Sequence, residues 1–221
     1  MPAPVAIPGQ ASATACGLPP DSAGNAWPAP PAFVPYARLR HRPVALDAST
    51  ELVIDGFFRS GNTYAVAAFQ LAQPRPVRLA HHLHAPAALL PATRRGIPAV
   101  LPVRDPRAAV LSSVVMMPHV PPSRMLRWWV AYHECLERRV ARLVVAPFDL
   151  IIGDFGAVID LINRRHATRF ARYQATSENE AAVRRLVEAS ALHLRPPWPV
   201  ARYLSGDLTE HAAAGPPAPD R

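Results

Sequence analysis

A glycine-containing loop directly after an apolar run is the first part of this sequence that could bind an anion. The run at residues 52–54 predicts a buried strand, and a helical pattern begins at Asn62. Between them, Gly56 and Gly61 have the spacing of a Walker phosphate loop, and Thr63 takes the place of its hydroxyl residue. The backbone N–H groups of such a strand–helix junction can hold a phosphate group.

The place of the Walker lysine is taken by Asn62. That lysine reaches the β- and γ-phosphates of a nucleoside triphosphate, and an asparagine does not carry its charge. The loop therefore disfavours ATP or GTP hydrolysis and predicts a site for a shorter phosphate group. Arg59 supplies a nearby positive charge.

A second polar junction follows the apolar run 99–103. Arg104 lies at the end of this predicted strand, and Asp105 and Pro106 are typical of a helix start. Ser112 comes eight residues after Arg104, which is about two helical turns. Both side chains can therefore face a ligand at the carboxyl end of the sheet, where open α/β proteins bind ligands.

The sequence His81-His82-Leu83-His84 lies between the two junctions, after another predicted strand. A histidine there can accept a proton from an acceptor hydroxyl, because its ordinary pKa near 6.5 suits a general base. Both His82 and His84 are candidates for this role. A histidine-rich tract can also bind a metal ion, but no second set of ligands has a suitable spacing, so no metal is expected.

Taken together, these segments resemble the sulfotransferase family that uses 3′-phosphoadenosine 5′-phosphosulfate (PAPS). The stretch from Phe58 to Tyr64 fits the family's 5′-phosphosulfate loop, and Arg104 with Ser112 fits its 3′-phosphate site. A histidine about two dozen residues before that arginine is the family's expected base. His82 lies 22 positions before Arg104, whereas His84-Ala85-Pro86 resembles the family's His-x-Pro version. The resemblance covers roughly residues 52–170.

The resemblance implies a PAPS-dependent sulfotransferase, with PAPS as co-substrate and no metal. His82 would be the base, with His84 as the alternative, and Arg59 would neutralise charge on the oxygen that bridges phosphate and sulfate. Tyr64 would stack on the adenine. The donor would be held by Arg59, Ser60, Gly61, Asn62, Thr63, Tyr64, Arg104 and Ser112. The acceptor is left open among small molecules, carbohydrates and lipids.

Two departures from the family keep other functions open. Many members carry lysine where this chain has Arg59. The planar guanidinium of arginine and the compact ammonium group of lysine are not equivalent. The family's late Arg-Lys-Gly loop has no clear match. The alternatives are a nucleotide or small-molecule kinase with a variant phosphate loop, and a nucleotide-binding module without turnover.

The order of apolar segments predicts an α/β domain with three α/β/α layers and a mostly parallel sheet. The resemblance narrows this to a P-loop-like sulfotransferase fold. Predicted strands are 52–57, 77–80, 99–103 and 143–148; predicted helices are 62–71, 86–95, 106–115, 121–139, 155–163 and 178–191. We assign residues 1–48 to a Pro/Ala-rich, largely irregular leader, 49–205 to the domain and 206–221 to a flexible tail.

Composition limits the partners. The net charge is +8, but all 24 basic residues are arginines scattered along the chain, with no nucleic-acid docking motif. Nucleic acid is therefore not expected as a partner. No apolar run reaches the roughly 18 residues that a transmembrane helix needs, and no basic segment followed by an apolar stretch opens the sequence. A cytoplasmic protein is expected.

Overall fold

Four parallel strands form one sheet, in the order β2-β1-β3-β4. The computed structural model describes residues 44–118 and 120–193, with side chains up to residue 189. The strands are β1 (Leu52–Ile54), β2 (Leu79–His81), β3 (Ala99–Val103) and β4 (Val144–Pro147). In β1, Ile54 is in register with His81 on one side and with Val100 on the other.

Helices connect the strands and cover both faces of the sheet. In the described part of the chain they are α1 (Asn62–Ala72), α2 (Pro86–Arg95), α3 (Pro106–Met116), α4 (Pro122–Glu137), α5 (Phe148–Gly153), α6 (Phe155–His166) and α7 (Ser177–His193), with a 3₁₀ turn at Val140–Arg142. None of these helices combines the length and the apolar character that crossing a membrane requires.

The core is divided by the sheet, because alternate residues of a strand point to opposite faces. Leu52 and Ile54 pack with α1, α5, α6 and α7 in one cluster, whereas Val53 packs with α2, α3 and α4 in another. All three strand residues are fully buried. The α/β class and the parallel sheet are therefore confirmed, and the helices on both faces agree with three layers.

The ends of β1 and β4 differ from the prediction for reasons in the tertiary structure, whereas α2 has its predicted bounds. Strand β1 ends at Ile54, because the chain turns at Asp55 into the loop. A Cβ atom on Gly56 would lie 2.5 Å from the carbonyl oxygen of Pro102, so this approach requires glycine. Helix α2 continues through Pro91, which lies in its interior. The short helix α5 begins at Phe148, where the sequence predicts the end of a strand.

The chain before β1 is irregular but packed. Val44, Ala45 and Leu46 are buried, although the sequence assigns them to the leader. The carbonyl of Val44 accepts a hydrogen bond from the N–H of His81, 3.1 Å away. The rest of the predicted leader up to residue 43, and the whole predicted tail 206–221, lie outside the described residues.

The strand order fixes the edge at which ligands can bind. From β1 the chain goes first to β2 on one side and then to β3 on the other, so the order reverses between β1 and β3. Ligands of open α/β sheets bind at this point, beyond the carboxyl ends of the strands. The residues that follow β1 and β3 are the glycine loop and Arg104.

Candidate active site

The glycine loop ends at the N-terminus of α1, which has no side-chain cap. Gly61 precedes the helix in the left-handed conformation, with φ +89°. The first turn of α1 carries no acidic residue. The first N–H groups of the helix and the positive end of its dipole are therefore available to an anion.

Asn62 supports the loop from inside. Its Nδ2 donates to the carbonyl oxygens of Gly56 and Phe57, at 3.3 and 3.0 Å, and the residue is only 4% exposed. The side chain of Asn62, which the sequence predicts to bind the donor, therefore points into the protein. Its backbone N–H is one of the first N–H groups of α1 and can still bind an anion. Ser60 Oγ and Asn62 Oδ1 are buried and have no hydrogen-bond partner in the part of the chain that the structure describes. The hydroxyl of Ser60 can donate to an anion or a water molecule, whereas Asn62 Oδ1 can only accept and needs a donor such as water.

The arginines of the two junctions meet at the carboxyl edge of the sheet. Arg59 Nε donates to Ser112 Oγ at 2.9 Å, and Arg104 Nη1 donates to the carbonyl oxygen of Arg59 at 3.1 Å. Arg59 has a left-handed backbone, with φ +60°. The sequence places Arg59 in one predicted phosphate site and Arg104 with Ser112 in another, but in the structure the three residues are in contact.

An aromatic ring fixes the guanidinium of Arg104. Its Cζ lies 4.1 Å from the centre of the Phe148 ring, within the range of a cation–π interaction. The same ring lies against Gly61, where an added Cβ would be 3.3 Å from Phe148 Cδ2. Helix α5 therefore positions both junctions, and this role of Phe148 was not predicted from the sequence.

His82 belongs to a chain of side chains that leads to the glycine loop. Its Nε2 lies 3.0 Å from Thr63 Oγ1, and its Nδ1 lies 2.6 Å from His81 Nδ1. Both ring nitrogens have partners, so neither is free in this arrangement to take a proton from an acceptor. His82 instead links the end of β2 to the hydroxyl of the loop.

His84 presents a different arrangement. Its Nδ1 lies 2.9 Å from the carbonyl oxygen of Gly56. A carbonyl can only accept, so Nδ1 carries the hydrogen and the lone pair is on Nε2. Nε2 has no hydrogen-bond partner among the described residues, and the side chain is 20% exposed. Of the two predicted bases, His84 is the one with a nitrogen free to accept a proton.

Burial keeps the histidines of this cluster neutral. It lowers the pKa of His81 to about 3 and that of His84 to about 4. It lowers the pKa of His82 well below the ordinary value, and the neighbouring rings of His81 and His84 add to this effect. At pH 7 these rings are therefore uncharged.

Asp55 is a functional candidate that the sequence analysis missed. The residue is fully buried at the end of β1 and accepts hydrogen bonds from the backbone N–H groups of Leu83 and His84. Burial raises its pKa to about 8, against the opposite effect of these hydrogen bonds. An acidic residue directly after an apolar strand was the available signal.

Tyr64 is held by α7. Its hydroxyl donates to Glu180 Oε1 at 2.6 Å, and the hydroxyl of Tyr173 donates to the same oxygen at 3.0 Å. The ring of Tyr64, which is part of α1, packs against the core cluster that contains Leu52 and Ile54. These contacts give Tyr64 a structural role, and stacking on adenine remains a prediction.

A row of aromatic rings extends from His84 toward α4. The ring of His84 is 4.5 Å from Phe58, and Phe57 lies between Phe58 and Tyr132. Tyr132 is fully buried and its hydroxyl has no hydrogen-bond partner. Of the rings of Phe57, Phe58 and Tyr132, only that of Phe58 is partly exposed, so it is the one that can contact a ligand beside His84.

Neither a metal site nor a known relative adds to this geometry. Within residues 44–118 and 120–193, no group of three or more His, Cys, Asp or Glu side chains could hold a metal ion. Comparisons with family models, with curated proteins and with solved structures found no match.

Proposed function

We propose that this protein is a sulfotransferase-like enzyme with a P-loop-like fold. It transfers a sulfuryl group from PAPS to an acceptor hydroxyl or amine. The donor's 5′-phosphate lies against the N–H groups at the start of α1, and Arg104 contacts its 3′-phosphate. The acceptor is a small molecule, a carbohydrate or a lipid.

The contact between Arg59 and Ser112 is the observation that carries this proposal. The two residues are 53 positions apart and belong to different motifs, yet they are 2.9 Å apart in space. A nucleoside that carries phosphates on the 3′ and 5′ oxygens of its ribose needs both motifs at one edge of the sheet. Turns after adjacent strands lie side by side in any parallel sheet, so the support comes from the side chains: a cation from one turn is hydrogen-bonded to a hydroxyl from the other helix.

The inward position of Asn62 favours sulfuryl transfer over phosphoryl transfer from ATP. Kinases and NTPases of the Walker type need a cation at this place, on the β- and γ-phosphates. Here the amide of Asn62 is buried under the loop by its bonds to Gly56 and Phe57. The nearby cation is Arg59, at the rim of the loop, where it suits the single bridging oxygen of a phosphosulfate.

The reaction needs only a base and a stabilised leaving group. The acceptor oxygen attacks sulfur in line, a new S–O bond forms, and the bond from sulfur to the bridging phosphate oxygen breaks. The leaving product is 3′-phosphoadenosine 5′-phosphate, whose growing negative charge is stabilised by the loop N–H groups and Arg59. The proton of the acceptor goes to the base.

We assign the base to His84 rather than His82. His84 has its Nε2 lone pair free and is partly exposed, whereas both ring nitrogens of His82 have partners. The pKa of His84 is low in the protein alone because the ring is buried. The negative charges of a bound donor would raise that pKa toward the range that favours proton transfer.

The test compares two ligands and then asks for turnover. Calorimetric titration should show tighter binding of 3′-phosphoadenosine 5′-phosphate than of ATP with magnesium. Incubation with sulfur-labelled PAPS and a panel of hydroxyl and amine acceptors should give a labelled product. Preference for ATP with magnesium would overturn the proposal in favour of a kinase. Tight binding without any labelled product would identify a binding module instead.

A further inference from the structure

The carboxyl group of Asp55 holds the segment that carries the proposed base. Its Oδ2 accepts from the N–H of Leu83 at 3.1 Å, and its Oδ1 accepts from the N–H of His84 at 3.0 Å. We call residues 82–85 the base loop. Asp55 is fully buried, so water does not compete for these bonds, and they are stronger than at a surface.

The base loop needs such support because its backbone is strained. His82 and His84 have φ angles of +56° and +50°, in the left-handed region that side-chain-bearing residues rarely adopt. A residue in this conformation destabilises the fold and persists only where the surroundings enforce it. Residues in this state concentrate at functional sites. The two hydrogen bonds to Asp55 are a direct means of enforcing the turn.

The backbone position of His84 decides which ring nitrogen carries the hydrogen. With its N–H on Asp55, the ring lies with Nδ1 2.9 Å from the carbonyl of Gly56 and 3.9 Å from Asp55 Oδ1. Asp55 is too far from the ring for a hydrogen bond, and it acts on the ring by fixing the backbone of His84. The carbonyl of Gly56 can only accept, so it favours a hydrogen on Nδ1. That leaves the lone pair on Nε2, the nitrogen that has no partner among the described residues.

We propose that Asp55 is the positioning residue of the base: by holding the N–H groups of Leu83 and His84 it keeps His84 in the Nδ1–H form, with Nε2 ready to accept a proton. Asp55 itself does not touch the acceptor. This inference rests on the proposed function for its catalytic meaning, but the contacts and the state of the ring can be measured without turnover.

The first measurement is made on the full chain with ¹⁵N-labelled histidine. Ring NMR at pH 7 should show His84 neutral and protonated at Nδ1. Asp55→Asn keeps one acceptor oxygen but places an amide NH₂ against a backbone N–H. We expect the ring of His84 in this variant to move toward the Nε2–H form, which an unconstrained neutral imidazole prefers. Glu137→Gln, an exposed carboxylate on α4, is the matched control and should leave the ring unchanged.

A second measurement covers the case in which Asp55→Asn does not fold. In the wild-type chain, the N–H groups of residues 83 and 84 should exchange slowly with solvent, although they lie outside regular structure. Rapid exchange of both would overturn the proposal. So would a wild-type His84 protonated at Nε2, or an unchanged ring in a folded Asp55→Asn variant.

Sulfuryl transfer separates this inference from the proposed function. If the enzyme is active, Asp55→Asn should lower turnover at least tenfold while the affinity for 3′-phosphoadenosine 5′-phosphate stays within about twofold. If the wild type transfers nothing to any acceptor, the proposed function fails. The ring and exchange measurements then still decide whether Asp55 positions His84.

Discussion

Arg59 Nε donates a hydrogen bond to Ser112 Oγ across 2.9 Å, joining two motifs that are 53 residues apart. This bond uses one of the five donor hydrogens of the guanidinium. Within residues 44–118 and 120–193 the terminal nitrogens of Arg59 have no hydrogen-bond partner, so they can bind the anion that we propose. The serine thus orients the arginine in the protein alone, which would reduce the conformational entropy lost when the proposed donor binds.

Arg104→Ala should weaken binding of 3′-phosphoadenosine 5′-phosphate far more than binding of adenosine 5′-phosphate. The reason is that Arg104 is assigned to the 3′-phosphate, and a hydrogen bond to a charged group contributes about 1.5–3 kcal/mol, roughly ten- to a hundredfold in affinity. Calorimetric titration of both ligands measures the difference. Arg107→Ala, an exposed arginine on α3, serves as the control and should change neither affinity. An equal loss for both ligands would speak against a 3′-phosphate contact.

His84→Ala and His82→Ala should have different effects. Loss of the base should lower single-turnover transfer about 10²–10⁴-fold with donor affinity almost unchanged. His82→Ala removes the partner of Thr63 Oγ1 in the loop, so it should weaken donor binding by about 1 kcal/mol, roughly fivefold. Transfer from labelled donor and a titration of each variant give both quantities. Near-normal transfer by His84→Ala, with a large loss in His82→Ala, would return the base to His82.

Gly61→Ala should reduce both stability and donor binding. Its φ of +89° is strained for alanine, at a cost of roughly 1–2 kcal/mol, and the new Cβ would press on Phe148 and Ile151 at 3.3 Å. Gly96→Ala is a matched control, because Gly96 has φ +70° but nothing within 4 Å of an added Cβ. Urea unfolding should show both variants destabilised, and titration with 3′-phosphoadenosine 5′-phosphate should show weaker binding for Gly61→Ala alone. Unchanged binding in that variant would exclude the loop as the phosphate site.

Stability should be greatest near pH 6.5 and fall on both sides. The histidines 81, 82 and 84 have pKa values lowered by burial. Below about pH 6.5 these histidines are protonated in the unfolded chain but stay neutral in the folded chain. Acid therefore favours the unfolded state. Asp55 has a pKa raised to about 8. From about pH 4 to 8 Asp55 is protonated in the folded chain and ionised in the unfolded chain. The free energy of unfolding contributed by Asp55 therefore falls as the pH rises through that range.

The two effects differ in size on the two sides of the maximum. Between about pH 4 and 6.5 three histidines outweigh one aspartate, so stability falls with acid. Above about pH 7 the histidines of the unfolded chain are mostly neutral, Asp55 becomes the dominant group among the described residues, and the loss approaches about 1.4 kcal/mol per pH unit. Urea unfolding from pH 4.5 to 9 measures the curve, and a folded Asp55→Asn variant should lose the alkaline decline. A flat profile from pH 6.5 to 8 in the wild type would contradict the burial of a protonated Asp55.

The sequence by itself determined the local elements and the class of fold. Helix α2 and strand β3 have the predicted bounds, and the apolar runs at 52–54 and 99–103 became buried parallel strands. The reason is that strand and helix patterns depend on neighbours in the chain, through the period of apolar residues and the turn chemistry of glycine and proline. The order of strands and helices then allows few topologies.

Tertiary structure decided how the side chains of the site are used. Asn62 turns inward because two carbonyls of the loop lie beneath it, and His82 is bound on both nitrogens because His81 and Thr63 flank it. The spacing in the sequence favoured His82 as the base, whereas the free nitrogen belongs to His84. Spacing fixes only how far apart residues are along the chain. Which ring nitrogen meets a carbonyl, and which carboxyl group is sealed from water, depends on packing between segments that are far apart in sequence, as with Asp55 and the base loop.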